Sequence, residues 1–207
     1  MRGFDIAVMV LFSPSDGFIA IKKDRTAFRR LAPTLILLAS LISSIARLFI
    51  VHYPLADVDV RDVNLFQGLF NFLMPFLLWV IAYYYVTCIF SGEILLREAY
   101  AAVCYAFLPY ALFTLPVAAF TNVIGIGSAG LINTLTAAIM LWVGLLILVG
   151  IREMNNYSIP ATIGVAFVGI IALLFIAVIM VLLYVLGAKL VGFAGEVFKE
   201  YRLLIFD

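Results

Sequence analysis

Residues 99–151 read AYAAVCYAFLPYALFTLPVAAFTNVIGIGSAGLINTLTAAIMLWVGLLILVGI, with no Asp, Glu, Lys, Arg or His among them. A helix crosses the hydrocarbon layer of a bilayer, about 30 Å thick, in about 20 residues. This run is long enough for two crossings. Its middle supplies the turn between them, in Thr121, Asn122, Gly125, Gly127, Ser128 and Gly130. The runs 31–46, 63–92 and 154–188 are also free of charge, and each fits one crossing. Helices are therefore expected near 31–51, 65–90, 100–120, 129–151 and 160–188. Lipid cannot satisfy an open backbone, and uniform apolarity does not fit the alternation of a membrane barrel. The fold class is an all-α bundle of five transmembrane helices, with an N-terminal interfacial helix and a C-terminal amphipathic helix.

Composition agrees. Of 207 residues, 66% are hydrophobic and 12% charged, too few charges to cover a water-facing surface. The net charge of +1 points to no nucleic-acid partner. Three regions follow: a cytoplasmic or interfacial segment 1–30, a membrane domain 31–190 and an amphipathic tail 191–207. Residues 6–12 are too short and too interrupted, with Asp5 ahead of them, for a sixth span or a cleaved leader.

Positive residues set orientation. With five spans, Arg2, Lys22, Lys23, Arg25, Arg29, Arg30, Arg97 and Arg152 share one side; Arg47, Arg61, Lys189, Lys199 and Arg202 lie on or near the other. The N-terminus is thus expected in the cytoplasm and the C-terminus outside. Ser13-Pro14-Ser15-Asp16 reads as a helix start. The helix after it carries Phe18 and Ile21 beside Lys22, Lys23, Arg25, Arg29 and Arg30, a pattern that suits the headgroup layer of anionic lipid. A docking site for a partner is the second reading. In the tail, Leu190, Phe193, Ala194, Val197, Phe198, Tyr201, Leu204 and Ile205 follow helical spacing. That stripe must be covered by the membrane surface, the bundle or another protein.

Polar residues inside spans are the candidates for function. Ser40, Ser43, Ser44 and Arg47 form one stripe on the first span; Gln67 and Asn71 share a face of the second; Asn133 and Thr136 mark the fourth. All fall in the half away from the N-terminus, where they can line a polar cavity or simply pack helices together. Arg47 stands about 24 Å along the helix from Leu31, close enough to the outer interface to snorkel or to pair with Asp57, Asp59 or Asp62. Pro109 and Pro116 mark a candidate kink in the third span. Cys88 and Cys104 are expected as free thiols. A single histidine, His52, and the lack of GxSxG, HExxH or a Gly-Lys phosphate loop argue against an enzyme, a metal centre or a cofactor. Glu93 and Glu98 flank a short loop, where capping is the expected role.

Gly92-Glu93 in that loop, followed by Tyr105-Ala106-Phe107-Leu108-Pro109, resembles the Yip1 domain family. Phe12-Ser13-Pro14 followed by Phe18 is similar to the Pro-x-x-x-Phe opening of its bacterial members. The resemblance covers about residues 10–190 and implies five spans, a cytoplasmic N-terminus and a non-enzymatic role beside partner proteins. The Asp-Leu-Tyr-Gly-Pro signature of the eukaryotic branch is missing, so that branch's role in vesicle traffic is not implied. The expected function is a non-catalytic subunit or scaffold of a membrane complex, one for transport among them. The alternative is a carrier that moves a small solute or lipid along its own polar helix faces.

Overall fold

The computed structural model describes residues 3–23, 31–51, 64–123 and 129–206, with side chains from Asp5 up to Gly195 within those ranges. They form eight helices: α1 (Gly3–Phe12), α2 (Pro14–Lys23), α3 (Leu31–Ile50), α4 (Leu65–Ile89), α5 (Leu96–Ala106), α6 (Leu108–Phe120), α7 (Ala129–Asn155) and α8 (Ile159–Phe206). Five units are long and apolar enough to cross a membrane: α3, α4, α5 with α6, α7, and α8 as far as Gly195. The connections place the starts of α3, α5 and α8 at one end of the bundle, beside α2. This is the near end; the other is the far end.

Helix limits follow local chemistry. Asn64 caps α4, its side chain accepting from the amides of Phe66 (3.0 Å) and Gln67 (3.3 Å). The third span starts earlier than its charge-free run because Glu98 reaches back to the Leu95 amide at 3.1 Å, the carboxylate half of a capping box. That span breaks at Phe107, whose backbone sits at φ −82° and ψ 1°. Proline at position 109 has no amide to offer the Tyr105 carbonyl, so the ladder loses a rung there. Pro116 lies inside α6 without a break, so Pro109 alone divides the span. Phe72, Phe76 and Tyr110 gather around the Phe107 ring, with Phe76 nearest at 5.5 Å and edge-on, and Tyr100 meets Phe76 edge-on in turn.

The α5 helix is the centre of the molecule. Ala99, Ala101, Ala102 and Ala106 are buried, and these small residues let α3, α4 and α7 pack close to its backbone. The helix expected from Ser13-Pro14 onward is α2, and α1 folds back on it. Gly17 lets them touch: a Cβ there would stand 2.7 Å from the Val10 amide nitrogen. Their apolar face joins the bundle core through Ile6, Val10, Phe18 and Ile21, all buried. Phe18 lies against Gly150 of α7.

At the other terminus the fifth span and the tail are one helix of 48 residues. The physical reason is plain in the sequence. Pro160, in the first turn, is the last proline of the chain, and nothing after it interrupts the backbone.

Candidate functional site

Polar side chains concentrate at the two ends of the bundle. At the near end, α4 and α7 finish alike. Ser91 (φ 55°) and Asn156 (φ 56°) take the left-handed conformation just past each helix. The next amides, of Gly92 and Tyr157, then bond back five residues, to the Thr87 carbonyl (2.7 Å) and the Arg152 carbonyl (3.0 Å). This is the Schellman arrangement, which satisfies carbonyls a helix end would otherwise strand.

Hydrogen bonds join the two ends. The Tyr157 hydroxyl reaches the carbonyls of Thr87 (3.3 Å) and Phe90 (3.2 Å). Asn155, only 4% exposed, donates from Nδ2 to the Tyr83 hydroxyl (3.0 Å) and to the Ile151 carbonyl (3.0 Å). Glu93 accepts from Lys22 Nζ (2.9 Å) and from Asn156 Nδ2 (3.2 Å), which ties α2 to both loops. Gly92 is there for space, since its own φ is not positive. A Cβ would meet Asn155 Oδ1 at 2.6 Å and the Tyr157 hydroxyl at 2.7 Å.

The Lys22 ammonium holds the Glu93 carboxyl below its usual value of 4.5. A depressed carboxyl stabilises the fold above its unfolded pKa, and that stabilisation is lost as pH falls through the folded value. The melting temperature of the native chain is therefore expected to exceed that of Glu93→Gln slightly at neutral pH. The gap should close as pH falls below 4.5. A gap that persists in acid would contradict the pairing.

At the far end, Arg47 of α3 faces a pocket of about 40 Å³ between α3, α6 and α7. Thr114 and Thr121 line it from α6 and the turn beyond; Asn133 and Thr136 line it from α7. The rim is pinned where Asn122 Nδ2 donates to the Ile50 carbonyl at 3.1 Å.

The expected polar seam thus comes together only in part. Arg47 and Asn133 share the pocket, with Thr136. Ser40 is buried and turns back to its own helix, at the Ile36 carbonyl (2.8 Å). Ser43 bonds across to the Ala111 carbonyl of α6 (3.1 Å) and so joins α3 to α6. Ser44 is half-buried and outside the pocket lining; Gln67 and Asn71 are exposed and outside it too. Cys88 is an exposed thiol and Cys104 a buried one.

Among the expected lipid contacts, Lys22 is spent on Glu93 and Lys23 is exposed. Arg25, Arg29 and Arg30 lie outside the described residues, as do Asp57, Asp59 and Asp62. The near-end network escaped sequence reading because Tyr83, Thr87, Asn155 and Tyr157 come from segments about seventy residues apart. The one usable signal was Asn155-Asn156 just past an apolar run, since Asn tolerates the left-handed turn that ends a helix.

The Yip1 domain family model matches residues 8–183, most of the chain, from α1 well into α8. The Tyr105–Pro109 motif falls at the break of the third span, with Tyr105 fully buried. No curated protein and no solved structure matches the chain. The chain belongs to the Yip1 domain family.

Proposed function

We propose that this Yip1 domain protein is a non-catalytic scaffold subunit of a membrane complex, such as a transport assembly, and that α8 is its docking arm. The observation that carries this reading is the apolar length of α8. Residues Ile159–Gly195 form 37 residues of apolar helix, with 11% of the most apolar window buried. At 1.5 Å per residue the segment is about 55 Å long. A helix tilted by about 40°, the upper end of what membranes show, needs only about 26 residues for a layer about 30 Å thick.

About ten residues, mostly apolar but with Lys189 among them, therefore lie beyond the hydrocarbon. Val185, Leu186, Leu190, Val191 and Phe193 are all exposed along this stretch. Water is a poor solvent for them, and the chain's own bundle leaves them uncovered. Partner membrane helices or an extramembrane apolar surface would cover them.

Two sequence features support the non-catalytic part: one histidine and no catalytic motif. The far-end pocket, about 40 Å³, has room for a few waters or one small group of that size, which favours a scaffold over a carrier. The proposed orientation, N-terminus cytoplasmic and C-terminus outside, rests on the excess of positive residues at the near end.

Solubilising native membranes in a mild detergent tests the reading. The full chain is expected to migrate with other membrane proteins, well above its own 22.9 kDa. A chain truncated after Tyr184 should keep the bundle and lose the partners. Full and truncated chains that both run as monomers, or only as homo-oligomers, would contradict the proposal.

A further inference from the structure

We infer that the far-end pocket is a binding site for a phosphate group, held by Arg47 and presented by a lipid headgroup or by a free phosphate anion. The inference is independent of what α8 docks.

Arg47 stands in the last turn of a membrane-spanning helix, half-buried, and its guanidinium cannot lose its charge. A cation at that depth needs an anion or water. Among the described residues no Asp or Glu lines the pocket, and no ion pair or hydrogen bond engages the Arg47 side chain.

The other polar groups of the lining are donors suited to phosphate oxygens. Asn133 offers an amide; Thr114 and Thr136 offer hydroxyls with no hydrogen-bond partner among the described residues. The Thr121 hydroxyl is already spent, donating to the Ala118 carbonyl at 2.6 Å. A planar guanidinium fork with two or three neutral donors around it is the usual chemistry of phosphate recognition.

Depth agrees with a lipid source. Asn133 lies four residues into α7, about 6 Å from its start, so the pocket sits just under the headgroup layer. The pocket floor is apolar, formed by Ile132, Ile139 and Met140, and suits the first carbons of an acyl chain. The bond from Asn122 to Ile50 fixes the end of α3 against the turn after α6, which sets the spacing of the pocket walls.

The test uses the full chain, purified and stripped of lipid. Three probes are compared: dioleoylphosphatidylglycerol, dioleoylglycerol with the same chains and no phosphate, and inorganic phosphate. Native mass spectrometry counts retained lipid, and thermal unfolding reads the free anion. One phosphatidylglycerol per chain is expected to stay bound in preference to dioleoylglycerol. Arg47→Gln should weaken it roughly tenfold to a hundredfold, the worth of a charge-assisted hydrogen bond. Arg47→Lys, which keeps the charge without the fork, should fall between.

Asn133→Leu, at an exposed position that leaves packing intact, should weaken retention in the same direction. A thermal shift with inorganic phosphate, lost in Arg47→Gln and without lipid preference, supports the site and makes a soluble anion its ligand. Equal retention of both lipids with no phosphate shift overturns it. So does binding unchanged in both Arg47→Gln and Asn133→Leu, which would leave Arg47 to a carboxylate of the 52–63 segment.

Discussion

Phe18→Ala is expected to destabilise the protein by about 3–5 kcal/mol, as the loss of a fully buried aromatic ring does. The ring is fully buried and rests on the bare backbone of α7, about 3.1 Å from where a Cβ on Gly150 would stand. Nothing nearby can refill the space, because the facing residue has no side chain. The loss should not stop at α2. Ile6 and Val10 of α1 belong to the same core, and Gly17 binds α1 to α2 in backbone contact. Both helices are expected to leave the bundle together.

Unfolding in graded denaturing detergent measures this, with Gly150→Leu as the converse variant that pushes the ring out instead of removing it. A native-like midpoint for both variants would put the N-terminal helices in the headgroup layer rather than on α7.

The second large effect is at the near end. Gly92→Ala is expected to cost about 2–5 kcal/mol, combining overpacking with buried polar groups left unpaired. The added methyl would press on Asn155 Oδ1 and the Tyr157 hydroxyl, and neither can simply step aside. Asn155 is held by Tyr83 and the Ile151 carbonyl, and Tyr157 by two carbonyls of the α4 end.

The neighbouring substitution should behave in the opposite way. Ser91 is the residue with φ of 55°, so Ser91→Gly relieves a conformation that costs a side-chain residue about 1 kcal/mol and should be neutral or slightly stabilising. Measuring the two side by side separates space from conformation. If Ser91→Gly destabilised and Gly92→Ala did not, the glycine would be serving the backbone angle, and the packing described for the two loops would be wrong.

The spans were legible in the sequence because charge is so costly in hydrocarbon that its absence over 63–92, 99–151 and 154–188 has one physical meaning. Pro109 and Pro116 were equal candidates for a kink, since each lacks an amide; the break falls at Phe107, before Pro109, and α6 runs through Pro116. What local patterns do not carry is destination. Phe18 and Ile21 have the same spacing whether they face lipid or α7, and only the glycine at position 150 offers the seat. The stripe from Leu190 onward marked an amphipathic face but not whether a turn precedes it; with no proline or polar turn there, the helix simply continues.

The polar seam divides for a related reason. Helical period placed Ser40, Ser43 and Arg47 on one face, and that face does meet α6. Period within α4 cannot say which way Gln67 and Asn71 turn relative to α3, and they turn away from the pocket.

The scaffold reading depends on a protein covering the outer part of α8, and crosslinking in intact membranes tests that most directly. A photoreactive residue at Leu186, beyond the hydrocarbon by the length of α8, is compared with one at Leu141, exposed in the middle of α7. A discrete adduct to a different membrane protein is expected from Leu186, and lipid adducts alone from Leu141. Lipid adducts alone from both positions, or adducts from Leu186 only to a second copy of the chain, would contradict the docking arm and the scaffold function with it.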